Sequence, residues 1–297
     1  MSDLSHYGED RVVARLTALL EGAPGVLVGP GDDCAVLEGA RRGEVELLKT
    51  DCLVGNVHFE PGAPAGKVGW KAIARILSDF AAMGGWPRHL VVTLAVSPGT
   101  EMRWLEQLYR GMNKCAQQFG CAIVGGETSS VSAGTPPMIS VAGTGGARRS
   151  QVVLRSGGRP GDRLFVTGRL GDSLKGRHLT FTPRLEEATW LTRNFKVHAM
   201  MDLSDGLACD LPRLASASGC GFLLESESLP CSRGATVEQA LRDGEDYELL
   251  FAVSRYTAKR IAGAWRSQFP GLPLTEVGSL TSEGQPDLAG GWDHFPA

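Results

Sequence analysis

Two apolar periods alternate along this chain, and that alternation limits the fold more than any other feature. Trp70, Ile73, Ile76, Leu77, Phe80 and Met83 recur every three or four residues, which predicts a helix that Gly84-Gly85 ends. Met102, Leu105, Leu108, Tyr109, Met112, Cys115, Ala116 and Phe119 predict a second long helix, closed by Gly120. A shorter amphipathic helix is predicted from Val12, Val13, Leu16, Leu19 and Leu20. Strand-like runs lie between: 44–49 leading into Thr50-Asp51, a buried strand over 90–96, and a short one over 121–124 before Gly125-Gly126. Gly143 to Arg149 is small, glycine-rich and basic, and this break in composition places a domain boundary near residue 148. Beyond it, strands are predicted at 164–167, 220–224, 247–253 and 274–280, with helices at 206–217 and 257–269. The expectation is an α+β protein of two domains, 1–148 and 149–297.

Composition narrows the function. With 30 Lys and Arg against 33 Asp and Glu, the net charge is −3, which argues against a nucleic-acid binder that relies on bulk positive charge. The 39 glycines follow no Gly-X-Y period, so they point to tight turns or close approach to a ligand. Seven cysteines form no C-x-x-C pair and read as reduced thiols. Met1-Ser2-Asp3-Leu4 shows no basic segment followed by an apolar core, and no apolar run approaches the ~20 residues that span a bilayer. The expected compartment is the cytoplasm, with no membrane partner.

No P-loop, no G-x-G-x-x-G after a strand, no G-x-S-x-G and no H-E-x-x-H is present, and the six histidines are isolated. What recurs is an acid beside Gly, Ser or Thr at the ends of apolar segments. The set is Gly31-Asp32-Asp33, Thr50-Asp51, Ser78-Asp79, Gly126-Glu127, Asp202-Leu203-Ser204-Asp205 and Gly244-Glu245-Asp246. Taken singly, each has a plain structural explanation. Gly-Asp is commonly a turn. Ser204-Asp205 suits a helix N-cap. Asp79 follows Arg75 by four residues and suits a surface ion pair. Taken together they repel, because two unit charges ~4 Å apart cost about 4 kcal/mol at an effective dielectric of 20. A converging set therefore needs cations, and oxygen-only donors suit Mg²⁺ or Ca²⁺. Mg²⁺ commonly binds substrate phosphates as well, and glycines beside the acids let backbone N–H groups approach them. The residues point to a magnesium–phosphate enzyme without a P-loop.

Several stretches resemble the thiamine-monophosphate kinase family, of the superfamily that includes aminoimidazole-ribonucleotide synthetase and selenophosphate synthetase. They are GPGDDCAVL (29–37), KTDCLVGNVHF (49–59), GWKAIARILSDFAAMGGWPRHL (69–90), IVGGETS (123–129), LRSGGRPGDRLFVTGRLGDS (154–173), MMDLSDGLACDL (200–211), GEDYELLF (244–251) and GWDHF (291–295). They stand in family order over most of the chain. The resemblance implies ATP-dependent phosphorylation of thiamine phosphate to thiamine diphosphate, with several Mg²⁺ ions. It also implies a homodimer whose N-terminal domains pair strands into a barrel, with the C-terminal domain covering the ATP cleft. By position, it marks Asp33, Thr50, Asp51, Asp79, Glu127, Asp202 and Asp205 as metal ligands, with Asp51 and Asp205 central to catalysis. Tyr109, Gly126, Arg155 and Ser204 are marked as ATP contacts, and His58, Glu245 and Trp292 as thiamine-phosphate contacts. Two other readings stand beside it: a same-fold kinase or synthetase for another phosphorylated small molecule, and a non-catalytic nucleotide-binding paralogue. The chain departs from the family pattern in three places. Glu127 stands for an Asp, Lys49 for a Ser or Thr, and Ser173 runs almost directly into Arg177-His178 where the family carries about two dozen helical residues.

Overall fold

The computed structural model describes residues 8–283, 288 and 290–294. Met1 to Leu4, and Phe295 of the last matching stretch, lie outside them. Among the described residues, one mixed sheet, one antiparallel sheet and seven α-helices make an α+β fold. The first sheet has the order β1-β2-β3-β6-β4-β5. Its strands are β1 (Val26–Val28), β2 (Ala35–Glu38), β3 (Glu44–Val54), β4 (Trp86–Val96), β5 (Ala122–Ser130) and β6 (Met138–Arg148). All its pairings are antiparallel except β4 with β5. The second sheet is antiparallel, in the order β8-β10-β7-β11-β9. Its strands are β7 (Arg163–Thr167), β8 (Val197–Asp202), β9 (Gly221–Leu224), β10 (Leu249–Val253) and β11 (Leu274–Thr281).

The helices are α1 (Glu9–Thr17), α2 (Ala65–Ala82), α3 (Met102–Gln118), α4 (Leu185–Asn194), α5 (Leu207–Ala217), α6 (Val237–Arg242) and α7 (Arg255–Gln268). Helices α2 and α3 lie where their apolar spacing puts them. The first helix stops earlier than expected, leaving Leu19 and Leu20 exposed beyond its end. The glycine-rich run after Ser140 is not a break in structure. It is β6, lodged between β3 and β4. A Cβ at Gly143 would lie 2.5 Å from a Leu90 methyl, and one at Gly145 would lie 2.6 Å from the Phe80 ring. Glycine is therefore what lets core side chains lie flat on that strand.

Residues 90–96 are mostly buried, as expected: only Val91 is exposed and Thr93 half-buried. Leu90, Val92 and Leu94 belong to the core on which α2 packs. The strand expected to end at residue 124 continues through Gly125-Gly126-Glu127 to Ser130, on the sheet's edge.

One apolar core joins the halves. Leu47, Ile73 and Phe80 share it with Phe165, Phe251 and Trp265. Leu164, Val166, Met201, Leu211 and Phe222 form a second core on the far face of the second sheet. Successive residues of β7 point to opposite cores, as a pleated strand requires. Between the sheets lies α2, with 14 of its 18 residues buried. It meets α3 at bare backbone. A Cβ at Gly111 would be 1.9 Å from the Gly66 carbonyl oxygen, and one at Gly69 would be 2.0 Å from that of Leu108. Gly111→Ala must push these helices apart, and a loss of about 3 kcal/mol is expected, read from the urea midpoint. An unchanged midpoint would mean that the crossing yields freely. No helix among the described residues is long and apolar enough to cross a membrane, and all seven cysteines are free.

Candidate active site

Three carboxylates from distant parts of the chain meet beside α2. Asp33 lies in the β1–β2 connection, Asp79 near the end of α2, and Asp202 at the end of β8. One oxygen from each lies within 4.8 Å of the other two. All three are buried. Burial drives the Asp79 carboxyl well above the usual carboxylate range, and the charges of Asp202, Asp51 and Asp33 push the same way against Lys49. Asp202 is pushed up to about 6 by burial and by Asp33. Its Oδ2 accepts from the Ser78 hydroxyl at 2.6 Å.

Side-chain cations pair with these carboxylates and with the neighbouring Asp51 and Asp205. Lys49 Nζ lies 2.6 Å from Asp79 Oδ1. Arg75 Nε lies 3.1 Å from Asp51 Oδ2. Arg155 pairs with Asp33, and Arg213 pairs with Asp205. The ion pair suggested by the Arg75–Asp79 spacing is therefore not the one formed: each residue takes a partner from β3. Ser204-Asp205 does not cap α5 either. Its N-cap is Gly206, with no side-chain cap.

The cluster fits a hard divalent cation. Every donor is oxygen, and Asp33 Oδ2 is buried without a hydrogen-bond partner. Unpartnered buried oxygens are rare because they are costly, and a cation would satisfy this one.

A second group lies a short way along α2. A cavity of about 320 Å³ is lined by His58, Glu245 and Trp292, together with Arg75, His178, Ser204, Asp205, Tyr247 and His294. The three residues that the resemblance marks for thiamine phosphate thus share one cavity. The backbone is left-handed at Glu245 (φ 52°) and Tyr247 (φ 51°), a conformation that non-glycine residues adopt only when held there. Main-chain bonds from Glu245 to the Ser204 carbonyl at 2.6 Å and from Tyr247 to the Leu203 carbonyl at 2.8 Å hold it, and Lys71 anchors the Glu245 side chain. Fully buried, it donates to both Glu245 oxygens at 2.7 and 2.6 Å and to the His58 carbonyl at 2.5 Å. His178 Nδ1 lies 2.8 Å from both Lys71 Nζ and Glu245 Oε2. Burial pulls Lys71 down to about 8 although Glu245 opposes it. For Glu245, burial would raise the carboxyl, but the His178 hydrogen bond and the Lys71 ammonium outweigh burial and hold it at about 2. Burial, aided by Arg75, lowers His58 to about 4. Its Nδ1 accepts from the Val54 amide at 2.9 Å, so the neutral ring keeps its proton on Nε2. The exposed Trp292 indole meets His294 edge-on at 5.8 Å, and His294 meets His58 at 5.4 Å.

A pH dependence follows. The lowered Glu245 carboxyl contributes stability that is complete above its ordinary value near 4.5 and is lost as pH falls toward 2. That contribution is about 3 kcal/mol. Glu245→Gln is expected to flatten this part of the acid limb in urea midpoints taken between pH 5 and pH 2. An acid limb that keeps its slope would show that Glu245 does not carry it.

The other marked residues lie farther out. Strand alternation turns Thr50 away from Lys49 and Asp51, toward Ser140 Oγ at 3.5 Å and the Val141 carbonyl at 3.4 Å. Tyr109 is exposed on α3. Gly126 lies in β5, where a Cβ would be 2.0 Å from the Val92 carbonyl oxygen. Glu127 is exposed on that edge strand, with Ser129 Oγ 3.5 Å from its Oε1. Lys71 and His178 are not among the residues marked from the sequence. The signal for Lys71 was its place in the middle of an apolar helical stretch.

Family models for AIR synthase related proteins match both halves, the N-terminal domain over residues 31–147 and the C-terminal domain over 169–289. These matches put the chain in the AIR synthase-related class. The thiamine-monophosphate kinase of Rhodopirellula baltica is 38% identical over 290 residues, covering 92% of this chain and 89% of its own. AaThiL complexed with AMPPCP and TMP matches with a TM-score of 0.84 and 30% identity, covering 99% of each chain. A thiamine-monophosphate kinase from Stenotrophomonas maltophilia matches with a TM-score of 0.74 and 32% identity over 93% of each chain. The chain belongs to the thiamine-monophosphate kinase family.

Proposed function

We propose that this chain transfers the γ-phosphoryl group of ATP to thiamine phosphate, giving thiamine diphosphate and ADP. The observation that carries the proposal is the pairing of two sites along α2. Asp33, Asp79 and Asp202 converge beside it, and one cavity a short way along gathers His58, Glu245 and Trp292. The relative solved with AMPPCP and TMP spans the whole chain and supports both substrates.

In this reading Asp33, Thr50, Asp51, Asp79, Glu127, Asp202 and Asp205 hold Mg²⁺. Bound there, Mg²⁺ would neutralise charge on the two phosphate groups that must approach each other. Arg155 would bind phosphate, with Tyr109, Gly126 and Ser204 completing the ATP site. The acceptor needs no general base, because a phosphate monoester with a second pKa near 6 is already largely dianionic at neutral pH. The protein's task is to position and to neutralise. Glu245 stays anionic at neutral pH and suits a cationic thiazolium. Trp292 offers a ring face for cation–π contact. His58 has only Nε2–H to donate.

The exposed edge of β5 suits strand pairing with a second copy, so the working form is a homodimer with a barrel of paired strands. We take the domain boundary at residue 148; it is supported by β6 ending there and by every later strand belonging to the second sheet. The compartment is the cytoplasm.

The test is direct. Purified protein incubated with ATP, Mg²⁺ and thiamine phosphate is expected to form equal amounts of ADP and thiamine diphosphate. Asp51→Ala or Asp205→Ala is expected to abolish both. A folded protein that binds Mg-ATP and forms no thiamine diphosphate would overturn the proposal.

A further inference from the structure

Lys49 and Asp79 each stand on a rigid element. Lys49 is in the middle of β3, paired with Gly143 of β6, and Asp79 is in the last turns of the buried helix α2. Their contact, 2.6 Å from Nζ to Oδ1, is thus set by packing rather than by a loop. Asp79 is also one of the three carboxylates whose oxygens lie within 4.8 Å of one another. A carboxylate has two oxygens and can bridge two divalent ions. With an ammonium on Oδ1, a second cation on that oxygen would face the full Coulomb repulsion of the lysine charge.

We infer that Lys49 is a built-in monovalent counter-ion that occupies one side of Asp79, restricting this aspartate to a single divalent ion and removing one divalent ion from the site. This rests on the reading above that Asp33, Asp79 and Asp202 hold divalent cations. An ammonium cannot chelate phosphate, but it can donate to it. Lys49 therefore supplies a positive charge beside Asp79 without a metal's coordination geometry. It also keeps the site partly neutralised before any metal arrives.

The experiment is a Mn²⁺ titration in the presence of AMPPCP, with free Mn²⁺ followed by electron paramagnetic resonance. It uses the full chain, Lys49→Gln, Lys49→Arg, and Lys49→Gln combined with Asp79→Asn. The expected result is one more Mn²⁺ per chain for Lys49→Gln than for the parent. Lys49→Arg is expected to match the parent, and the double variant to lose the extra ion. In EDTA, Lys49→Gln is expected to melt below the parent and to recover with Mn²⁺. A Lys49→Gln chain that folds only with Mn²⁺ present supports the proposal, and one that stays unfolded in excess Mn²⁺ overturns it. Equal counts for Lys49→Gln and a parent that binds Mn²⁺ beyond the nucleotide's own overturn the proposal and leave the metal site standing. If neither chain binds Mn²⁺ beyond that carried by AMPPCP, the metal reading falls and the proposal with it.

Discussion

Asp202→Asn is expected to lower turnover by about a thousandfold and, in the same protein, to raise the melting temperature in EDTA. The two effects share a cause. Asp202 is buried against Asp33 and Asp79, and its carboxyl is pushed up to about 6 because the ionised form is unwelcome there. Asparagine removes the charge yet keeps an oxygen to accept from Ser78, which now donates at 2.6 Å. Relief of the charge is worth about 3 kcal/mol, or roughly 5 °C for a chain of this size. With Mg²⁺ and AMPPCP present the order should reverse, because only the parent has the full ligand set. Steady-state kinetics and paired melting curves decide it. A variant within tenfold of parental turnover would remove Asp202 from the metal site.

The second large effect lies at Lys71. Lys71→Met alone is expected to cost about 3 kcal/mol, because it leaves the Glu245 carboxylate in a buried site without its main cation. Lys71→Met with Glu245→Gln is expected to recover about 2 kcal/mol of that loss. The two partners' titrations explain why. Glu245 is held low, which favours the fold, while Lys71 is also held low, which opposes it. The intact pair is therefore close to neutral for stability, and its value lies in geometry. The double variant should fold, bind ATP normally and show a KM for thiamine phosphate raised at least about tenfold. Simple additivity of the single losses would mean that the contact is not energetically coupled. An unchanged KM would mean that Glu245 does not touch the acceptor.

Much of this was legible in the residues, and the gaps have physical causes. Helices α2 and α3 announced themselves because their apolar spacing is long and regular. The recurring acids include Asp33, Asp79 and Asp202, which the fold brings together, yet no spacing rule shows which oxygens meet when the segments are up to 169 residues apart. Strand β6 was hidden because its glycines read as a linker, and only the Phe80 and Leu90 side chains above them explain why that strand must be bare. Lys71 was passed over because lysine is ordinarily exposed. Its burial is tolerable only beside Glu245, 174 residues away. His178 belongs to a short 3-10 turn, where no periodicity exists to reveal which way a ring points.

Helix α2 has one further consequence. Lys71, Arg75, Ser78 and Asp79 form a single stripe along it and meet, in turn, Glu245, Asp51, Asp202 and Lys49. Eight residues of helix fix roughly 12 Å between the first and last of these contacts. The rod is packed on nearly every side, so this distance cannot adapt to a longer or shorter acceptor. Any change in the size of molecule accepted would have to come from the opposite wall, the loops at 55–60 and 290–294. A library aimed at new acceptors should be spent there and should leave the helix alone.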